Sequence, residues 1–495
     1  MTETTQNHPP SPRSTSPDTA PLNGADLKRR NNQVIYLLLA ATFVVFLNET
    51  IMNVALVPLM NDLSIDESTV QWLSTSFMLT MAVIIPTTGF LLQRLTTRQV
   101  FILAMTLFSI GTALAVVSPG FSVLLIARII QASGTAIMMP LLMTTIMQLV
   151  PAESRGRTMG NISIVISVAP AIGPTIAGVI LSLGSWRWMF GVVLPIALIM
   201  LAVGIRWVRN VNEPGHAPLD LTSVVLSAFG FSGLVFGLSQ MAHSSTGGSA
   251  WVLVISLAVG IAALAGFVFR QLRLQRKDEA LLDLRTFRNG SFTATVVMMM
   301  IAMMALFGTI ILLPIYLQKV LHVENLWVGL LLLPGGLLMG LSAPIVGRLY
   351  DKYGPRPLIV PGTIVVTASL WLLATVSATT SPYYVLAMHM LLSIGLGLTF
   401  TPLFTAGLSS LEPKLYSHGS ATVGTVQQVA GAAGTALFIA VMSSTTAGLT
   451  SSGANLEVAT AGGIRAAFMI GAILFTVNIV IGFFISKPEN AEATH

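Results

Sequence analysis

Long apolar runs, separated by short polar segments, repeat along the chain from about residue 34 to residue 485. A helix needs about 20 apolar residues to cross a bilayer, and lipid leaves only helices or closed barrels because every backbone hydrogen bond must be made internally. Runs this long and continuous predict fourteen transmembrane helices in an all-α membrane protein. The runs lie at residues 34–58, 69–91, 99–118, 121–148, 158–183, 188–208, 219–242, 251–270, 291–318, 326–347, 357–377, 382–408, 419–446 and 465–485.

The composition supports a membrane-spanning chain and excludes several kinds of site. Of the 495 residues, 54% are hydrophobic and 9% are charged, whereas soluble domains carry about 25% charged residues. The absence of cysteine excludes disulfides, thiolate nucleophiles and cysteine-ligated metal. Residues 1–33 are rich in Pro, Ser, Thr and Asn, which predicts a disordered tail on the cytoplasmic side, and residues 486–495 are expected to form a cytoplasmic tail at the other end. We expect no cofactor and no metal ion.

The net charge of +6 follows from where the basic residues fall along the chain. If the amino terminus is cytoplasmic, only Arg187, Lys319 and Arg465 of the 25 Lys and Arg residues fall on the opposite side, and Arg128 lies within a span. This bias predicts that both termini are cytoplasmic in a multi-pass protein of the cell membrane. The basic balance therefore indicates topology and contact with the lipid bilayer, and not nucleic-acid binding.

The segments that follow the second and the tenth run repeat one pattern. In residues 89–98 and in residues 347–356, a Gly is followed by Leu two positions later, by a cation five positions later and by Arg nine positions later. The offset of eight runs indicates two six-helix halves separated by two inserted helices. Transporters built from parallel halves bind substrate near mid-membrane, between the halves. The predicted units are residues 34–208 for the amino-terminal half, 209–290 for two inserted linker helices with a cytoplasmic loop, and 291–485 for the carboxy-terminal half.

One acidic residue lies deep within a predicted span. Of the 19 Asp and Glu residues, only Glu49 falls well inside an apolar run, where a carboxylate costs roughly 2.5–3.5 kcal/mol on insertion scales. Such an acid must face protein or water. We interpret Glu49 as the group that binds the coupling proton, a cationic substrate, or each in turn. The alternative is a permanent structural hydrogen bond, although a Gln would serve that role without the cost of ionisation.

The two repeated segments resemble the loop signature of the major facilitator superfamily, Gly-x-Leu-x-Asp-(Arg/Lys)-x-Gly-x-Arg. Residues 347–356 match it, whereas in residues 89–98 Gln93 replaces the Asp and Thr96 replaces the second Gly. The resemblance implies that these loops control the change between conformations, and that the first copy holds its closed state less firmly. The residues implied in this role are Gly89, Arg94, Gly347, Asp351, Lys352, Gly354 and Arg356.

Three further motifs resemble those of the fourteen-span drug:proton antiporters of that superfamily. Arg128 and Gln131 are similar to the Arg-x-x-Gln-Gly-x-Gly motif of the fourth span, and Gly173-Pro174 is similar to the antiporter motif of the fifth. The first-span motif of the family reads Leu-Asp-x-Thr-Ile-Val-Asn-Val-Ala-Leu. Here Asn48 stands at the Asp position and the acid moves to Glu49, a variant that resembles the lincomycin-resistance type of exporter.

The resemblance implies an exporter that exchanges protons for lipophilic, cationic or amphipathic drugs by alternating access. The residues implied in proton and substrate binding are Glu49, Arg128, Asn48, Asn53 and Gln131, and those implied in gating include Gly173 and Pro174. A fixed structural cation at Arg128 and a passive kink at Pro174 are the alternatives. We expect a monomer whose partners are small-molecule substrates, protons and the bilayer.

Three other classes of function compete with export: a metabolite transporter, an ATP-driven pump and an enzyme. A proton-coupled or facilitative transporter of a specific metabolite would use the same fold, but such a site usually needs several convergent polar groups. The chain contains no Gly-Lys dipeptide, so it has no phosphate-binding loop of an ATP-driven pump, and it carries neither a His-Glu-x-x-His motif nor a nucleophile elbow. We therefore expect that the protein is not an enzyme.

Overall fold

The computed structural model describes residues 24–211, 220–243 and 250–485. In this part of the chain there are fourteen helices long and apolar enough to cross a membrane, and no strand, which confirms the predicted fold class. The helices are α1 (Gly24–Leu63), α2 (Glu67–Arg94), α3 (Thr97–Val116), α4 (Phe121–Leu149), α5 (Arg155–Leu183), α6 (Arg187–Trp207), α7 (Leu221–His243), α8 (Ala250–Leu274), α9 (Gly290–Lys319), α10 (Asn325–Tyr353), α11 (Arg356–Leu373), α12 (Pro382–Ser409), α13 (Tyr416–Ser451) and α14 (Leu456–Gly482).

The helices extend beyond the apolar runs at several ends. Residues 24–33, which the sequence assigned to the tail, are helical, and α14 begins at Leu456 instead of near residue 465. The start of α1 is mostly polar and the start of α14 contains Glu457, Thr460 and two glycines, so both lie outside the apolar runs although the backbone hydrogen bonds of each helix include them. The rest of the two predicted tails, residues 1–23 and 486–495, lies outside the described residues.

Two six-helix bundles and an inserted pair make up the fold. The amino-terminal half, α1–α6, and the carboxy-terminal half, α9–α14, meet along two seams, where α2 packs against α13 and α5 packs against α10. The inserted helices α7 and α8 pack on each other, and α7 also lies against α2 and α13. Trp72 of α2 stacks on Phe236 of α7 with ring centroids 5.9 Å apart. The inserted pair therefore covers the α2–α13 seam through α7, and α8 packs on the outside of α7.

Hydrogen bonds join the halves toward one end of the bundle, where α2 and α10 finish and α5 and α13 begin. We call this the basic end, because the predicted cytoplasmic cations lie there. The bonds run between Asp351 and the backbone of Gly156 and Arg157, between Ser163 and Thr401, between Thr144 and Ser420, and from Gln93 to the Lys414 carbonyl. The conformation is therefore closed at the basic end.

Candidate functional site

Arg128 is buried within the amino-terminal half, in the third turn of α4, with 1% of its surface exposed. Its Nη1 donates a hydrogen bond to Oε1 of Gln131 at 2.5 Å, and its guanidinium carbon lies 4.0 Å from the centroid of the Phe77 ring on α2. Gln131 in turn donates from Nε2 to the Thr112 hydroxyl on α3 at 2.8 Å. The hydrogen bond to Gln131, one helical turn along α4, and the cation–π contact with Phe77 thus hold the Arg128 guanidinium in place.

Glu49 lies on α1, which packs against α4 and α5. The Arg128 guanidinium interacts electrostatically with the Glu49 carboxylate, but the ion pairs among the described residues do not include these two. The structure also shows no hydrogen-bond partner for Arg128 Nε or for Nδ2 of the neighbouring Asn48, which is 2% exposed. Arg128 is therefore positioned by Gln131 and Phe77, and its charge reaches Glu49 without a direct contact.

The turn of α1 that carries Glu49 is pressed against α5 at Gly173. A Cβ at Gly173 would lie 2.2 Å from Oγ1 of Thr50, so only glycine permits this approach. The Thr50 hydroxyl bonds the Leu47 carbonyl at 2.9 Å and lies 3.3 Å from the Ala169 carbonyl of α5. The Gly-Pro motif therefore contacts the residue next to Glu49. The side chains of Asn53 and Pro174, also predicted for this site, lie outside what the structure describes.

At the basic end, Asp351 of α10 caps a helix of the other half. Its Oδ1 accepts the backbone N–H of Gly156 at 2.7 Å and its Oδ2 accepts that of Arg157 at 2.9 Å. These are N–H groups of the first turn of α5, which have no partner within their own helix and carry partial positive charge. A Cβ at Gly347 would lie 2.1 Å from the Gly156 carbonyl oxygen, so the two backbones touch there. We call this arrangement the cross-half cap.

The first copy of the loop signature makes a weaker contact at the equivalent place. Gln93 donates one hydrogen bond, from Nε2 to the Lys414 carbonyl at 3.2 Å, just before α13 begins. A Cβ at Gly89 would lie 2.9 Å from Nδ1 of His418 on α13, so the crossing at this seam is also close. At this seam the neutral side-chain amide of Gln93 donates one hydrogen bond to a carbonyl, whereas at the other seam the Asp351 carboxylate accepts two backbone N–H groups. The two copies therefore hold the halves together unequally.

Three cations of the two loops, Arg94, Lys352 and Arg356, contact aromatic rings of their own half. The guanidinium carbon of Arg94 lies 5.8 Å from the centroid of Phe90, and Lys352 Nζ lies 5.0 Å from that of Tyr353. Arg356 faces Phe483 at 5.7 Å. Gly354 ends α10 with φ +80°, in the left-handed region that glycine adopts without strain. These contacts shape each loop, and the structure does not bring these side chains to the Glu49 site.

The sequence did not identify the residues that surround Arg128 and Glu49 or the residue that receives the cross-half cap. Phe77 and Thr112 fix Arg128, Thr50 meets Gly173, and Gly156 receives the cross-half cap. Among them only Gly156 had a signal, namely its position at the start of a span on the basic side. Within the described residues, no group of three or more His, Asp or Glu side chains is placed to hold a metal ion. The buried polar network at this site joins Arg128, Gln131 and Thr112, and Glu49 lies on the neighbouring helix α1.

Comparison with known proteins adds independent findings. A profile of the Major Facilitator Superfamily matches residues 38–435. The lincomycin resistance protein LmrB of Listeria monocytogenes is 41% identical over 467 residues, which cover 93% of this chain and 98% of that protein. The riboflavin transporter RibZ of Clostridioides difficile is 25% identical, over 82% of this chain and 87% of its own. The crystal structure of the human organic anion transporter MFSD10 has a similar fold, with a TM-score of 0.67 at 14% identity, over 92% of this chain and 99% of that one.

Proposed function

This chain belongs to the Major Facilitator Superfamily, and we propose that it is a proton-coupled exporter of lipophilic, cationic or amphipathic drugs. Membership in the family makes the protein a multi-pass membrane transporter of small molecules and not an enzyme, as the sequence predicts. A relative named for lincomycin resistance, similar over nearly its whole length, supports a drug as the substrate. The proposal adds the proton coupling and the residues that perform it.

The observation that carries the proposal is the isolation of Glu49 beside a charge that is held by other residues. A transporter that exchanges a proton for a cation needs one carboxylate that both can reach in turn. Because Arg128 is bound by Gln131 and Phe77, Glu49 can lose or gain a proton without releasing the arginine. The guanidinium, which stays charged, favours the ionised carboxylate, and a cationic substrate acts in the same direction. Substrate arrival then drives proton release.

The alternating-access part of the proposal uses the closed basic end. We infer from the excess of Lys and Arg that this end and both termini face the cytoplasm, in the cell membrane. The conformation with the cross-half cap is then the one closed to the cytoplasm. Opening it breaks the hydrogen bonds that join the halves there: two at Asp351, one at Gln93, one between Ser163 and Thr401, and one between Thr144 and Ser420. We propose that one chain is sufficient for this cycle.

The test is gradient-driven transport in everted membrane vesicles, with ethidium as a lipophilic cation and lincomycin as a second probe. Wild-type protein should accumulate the probe when the vesicle interior is acidic and stop when the gradient is collapsed. Glu49→Gln should abolish this accumulation, whereas Glu153→Gln, the same substitution at an exposed acid of the basic end, should not. Full accumulation by Glu49→Gln would refute the role of Glu49.

A second candidate is transport of a specific metabolite, favoured by the relative named as a riboflavin transporter. The same vesicles distinguish the two, because an importer accumulates its substrate in right-side-out vesicles and an exporter accumulates it in everted ones. Riboflavin accumulation in right-side-out vesicles, together with no drug accumulation in everted vesicles, would favour metabolite import and refute drug export.

A further inference from the structure

A cleft opens at the basic end of the amino-terminal half, away from the seams between the halves. It has a volume of about 500 Å³ and is formed by the first part of α1, the carboxyl ends of α4 and α6, and the segment that follows α6. Neither Glu49 nor Asp351 lines it. The cleft is therefore separate from the site proposed for transport and from the cross-half cap.

Three arginines, Arg30, Arg206 and Arg209, line this cleft. In the described part of the chain, no carboxylate lines the cleft and no ion pair involves these three side chains. The carboxyl ends of α4 and α6 contribute partial negative charges of about one half each, which three full positive charges exceed. The cleft therefore has a positive potential that attracts an anion.

The other lining groups indicate which anion fits. Asn31, Gln148 and Asn210 add carboxamide groups to the lining of the cleft. The guanidinium and carboxamide N–H groups are the hydrogen-bond donors that phosphate oxygens accept. Leu149 and Trp207 provide an apolar wall, and Trp207 is 52% exposed at the end of a membrane-spanning helix. Tryptophan in that position lies at the level of the lipid headgroups. The cleft thus combines phosphate chemistry with an apolar wall at the membrane surface.

We propose that this cleft binds the headgroup phosphate of an anionic phospholipid of the surrounding leaflet. Basic pockets between membrane helices on the cytoplasmic side suit anionic headgroups, because the guanidinium groups meet the phosphate while the acyl chains stay in the bilayer. A free phosphate ion would satisfy the arginines but would leave Trp207 and Leu149 without an apolar partner. The bound lipid joins α1, α4 and α6, three helices of one half, and steadies that half as a rigid body.

The experiment measures lipid retention by native mass spectrometry on the purified full-length protein. Dioleoylphosphatidylglycerol is the anionic probe, dioleoylphosphatidylcholine has the same chains on a zwitterionic headgroup, and inorganic phosphate tests for a simple anion site. The cleft variant is Arg206→Gln with Arg209→Gln. The matched control is Arg273→Gln with Arg276→Gln, which removes the same charge from exposed positions at the basic end outside the cleft.

Wild-type and control proteins should retain phosphatidylglycerol in preference to phosphatidylcholine. The cleft variant should bind phosphatidylglycerol roughly fivefold more weakly for each lost arginine. Equal retention by cleft and control variants would overturn the proposal, and so would displacement of the lipid by millimolar inorganic phosphate. If the double variant unfolds at a lower temperature than wild type without lipid, Arg30→Gln is used in its place. Arg30→Gln should bind phosphatidylglycerol about fivefold more weakly than wild type. Unchanged retention of phosphatidylglycerol by Arg30→Gln would count against the site.

Discussion

The cross-half cap gives the sharpest prediction, because its geometry sets the size of the effect. Hydrogen bonds to a charged group contribute roughly 1.5–3 kcal/mol each, and Asp351 accepts two. Asparagine at this position keeps one acceptor oxygen and turns an NH2 group toward the second amide. At a partly exposed site we take the lower value, so two bonds of about 1.5 kcal/mol each are replaced by one neutral bond of about 1 kcal/mol. Asp351→Asn should therefore destabilise the conformation closed at the basic end by about 2 kcal/mol. The ratio of closed to open molecules should fall roughly thirtyfold.

Gln93→Ala is the matched control at the equivalent position of the other seam. It removes one neutral hydrogen bond of 3.2 Å in an exposed place, worth at most about 1 kcal/mol, so the ratio should change no more than about fivefold. Transport rates should follow the same order, with Asp351→Asn the more impaired. The difference between the two variants tests the inequality of the two copies directly.

The assay uses pairs of spin labels, one in each half, and the natural chain has no cysteine that must first be removed. Ala152→Cys and Leu349→Cys place exposed labels on either side of the cap. Double electron–electron resonance then gives the population of the short, closed distance. An unchanged distribution in Asp351→Asn, or a shift in Gln93→Ala as large as that in Asp351→Asn, would refute the reasoning.

The remaining predictions concern the Glu49 site and the inserted helices. Glu49→Gln and Arg128→Ala should be non-additive in substrate-induced proton release, and simple additivity in that double-mutant cycle would leave Arg128 a structural role. Gly173→Ala should impair transport because its Cβ would lie 2.2 Å from Thr50 Oγ1; adding Thr50→Ala should restore part of the rate, and no recovery would argue against this clash. Hydrogen bonds from Arg270 lower the pKa of Asp220 to about 2, from a usual 3.8, so their stabilisation is present above about pH 4 and lost as the pH falls toward 2. The difference in melting temperature between wild type and Asp220→Asn should therefore be small at neutral pH, since the pair is partly exposed, and should shrink as the pH falls toward 2; a difference at pH 2 as large as that at pH 7 would contradict this.

The sequence alone determined the class of protein, the number of membrane helices and the division into two halves with an inserted pair. It did so because the bilayer imposes a local rule: each span must be apolar over its own length and must satisfy its own backbone hydrogen bonds. The same rule singled out Glu49, since a carboxylate in an apolar run is visible without any knowledge of its neighbours. The bounds of the helices were less exact, because α1 begins with polar residues and α14 with a mixture of small and polar residues that falls outside its apolar run.

Only the tertiary structure decided which side chains meet. The sequence placed Glu49 and Arg128 within two predicted spans, but the contacts of the arginine with Gln131 and with Phe77 on another helix depend on how α2 and α4 are rotated against each other. Likewise, Asp351 belongs to a recognisable loop, yet its role as a cap on α5 requires the two halves to be packed together. No local pattern specifies the rotation and packing of a helix against distant helices, because these result from the fit of all the side chains between them.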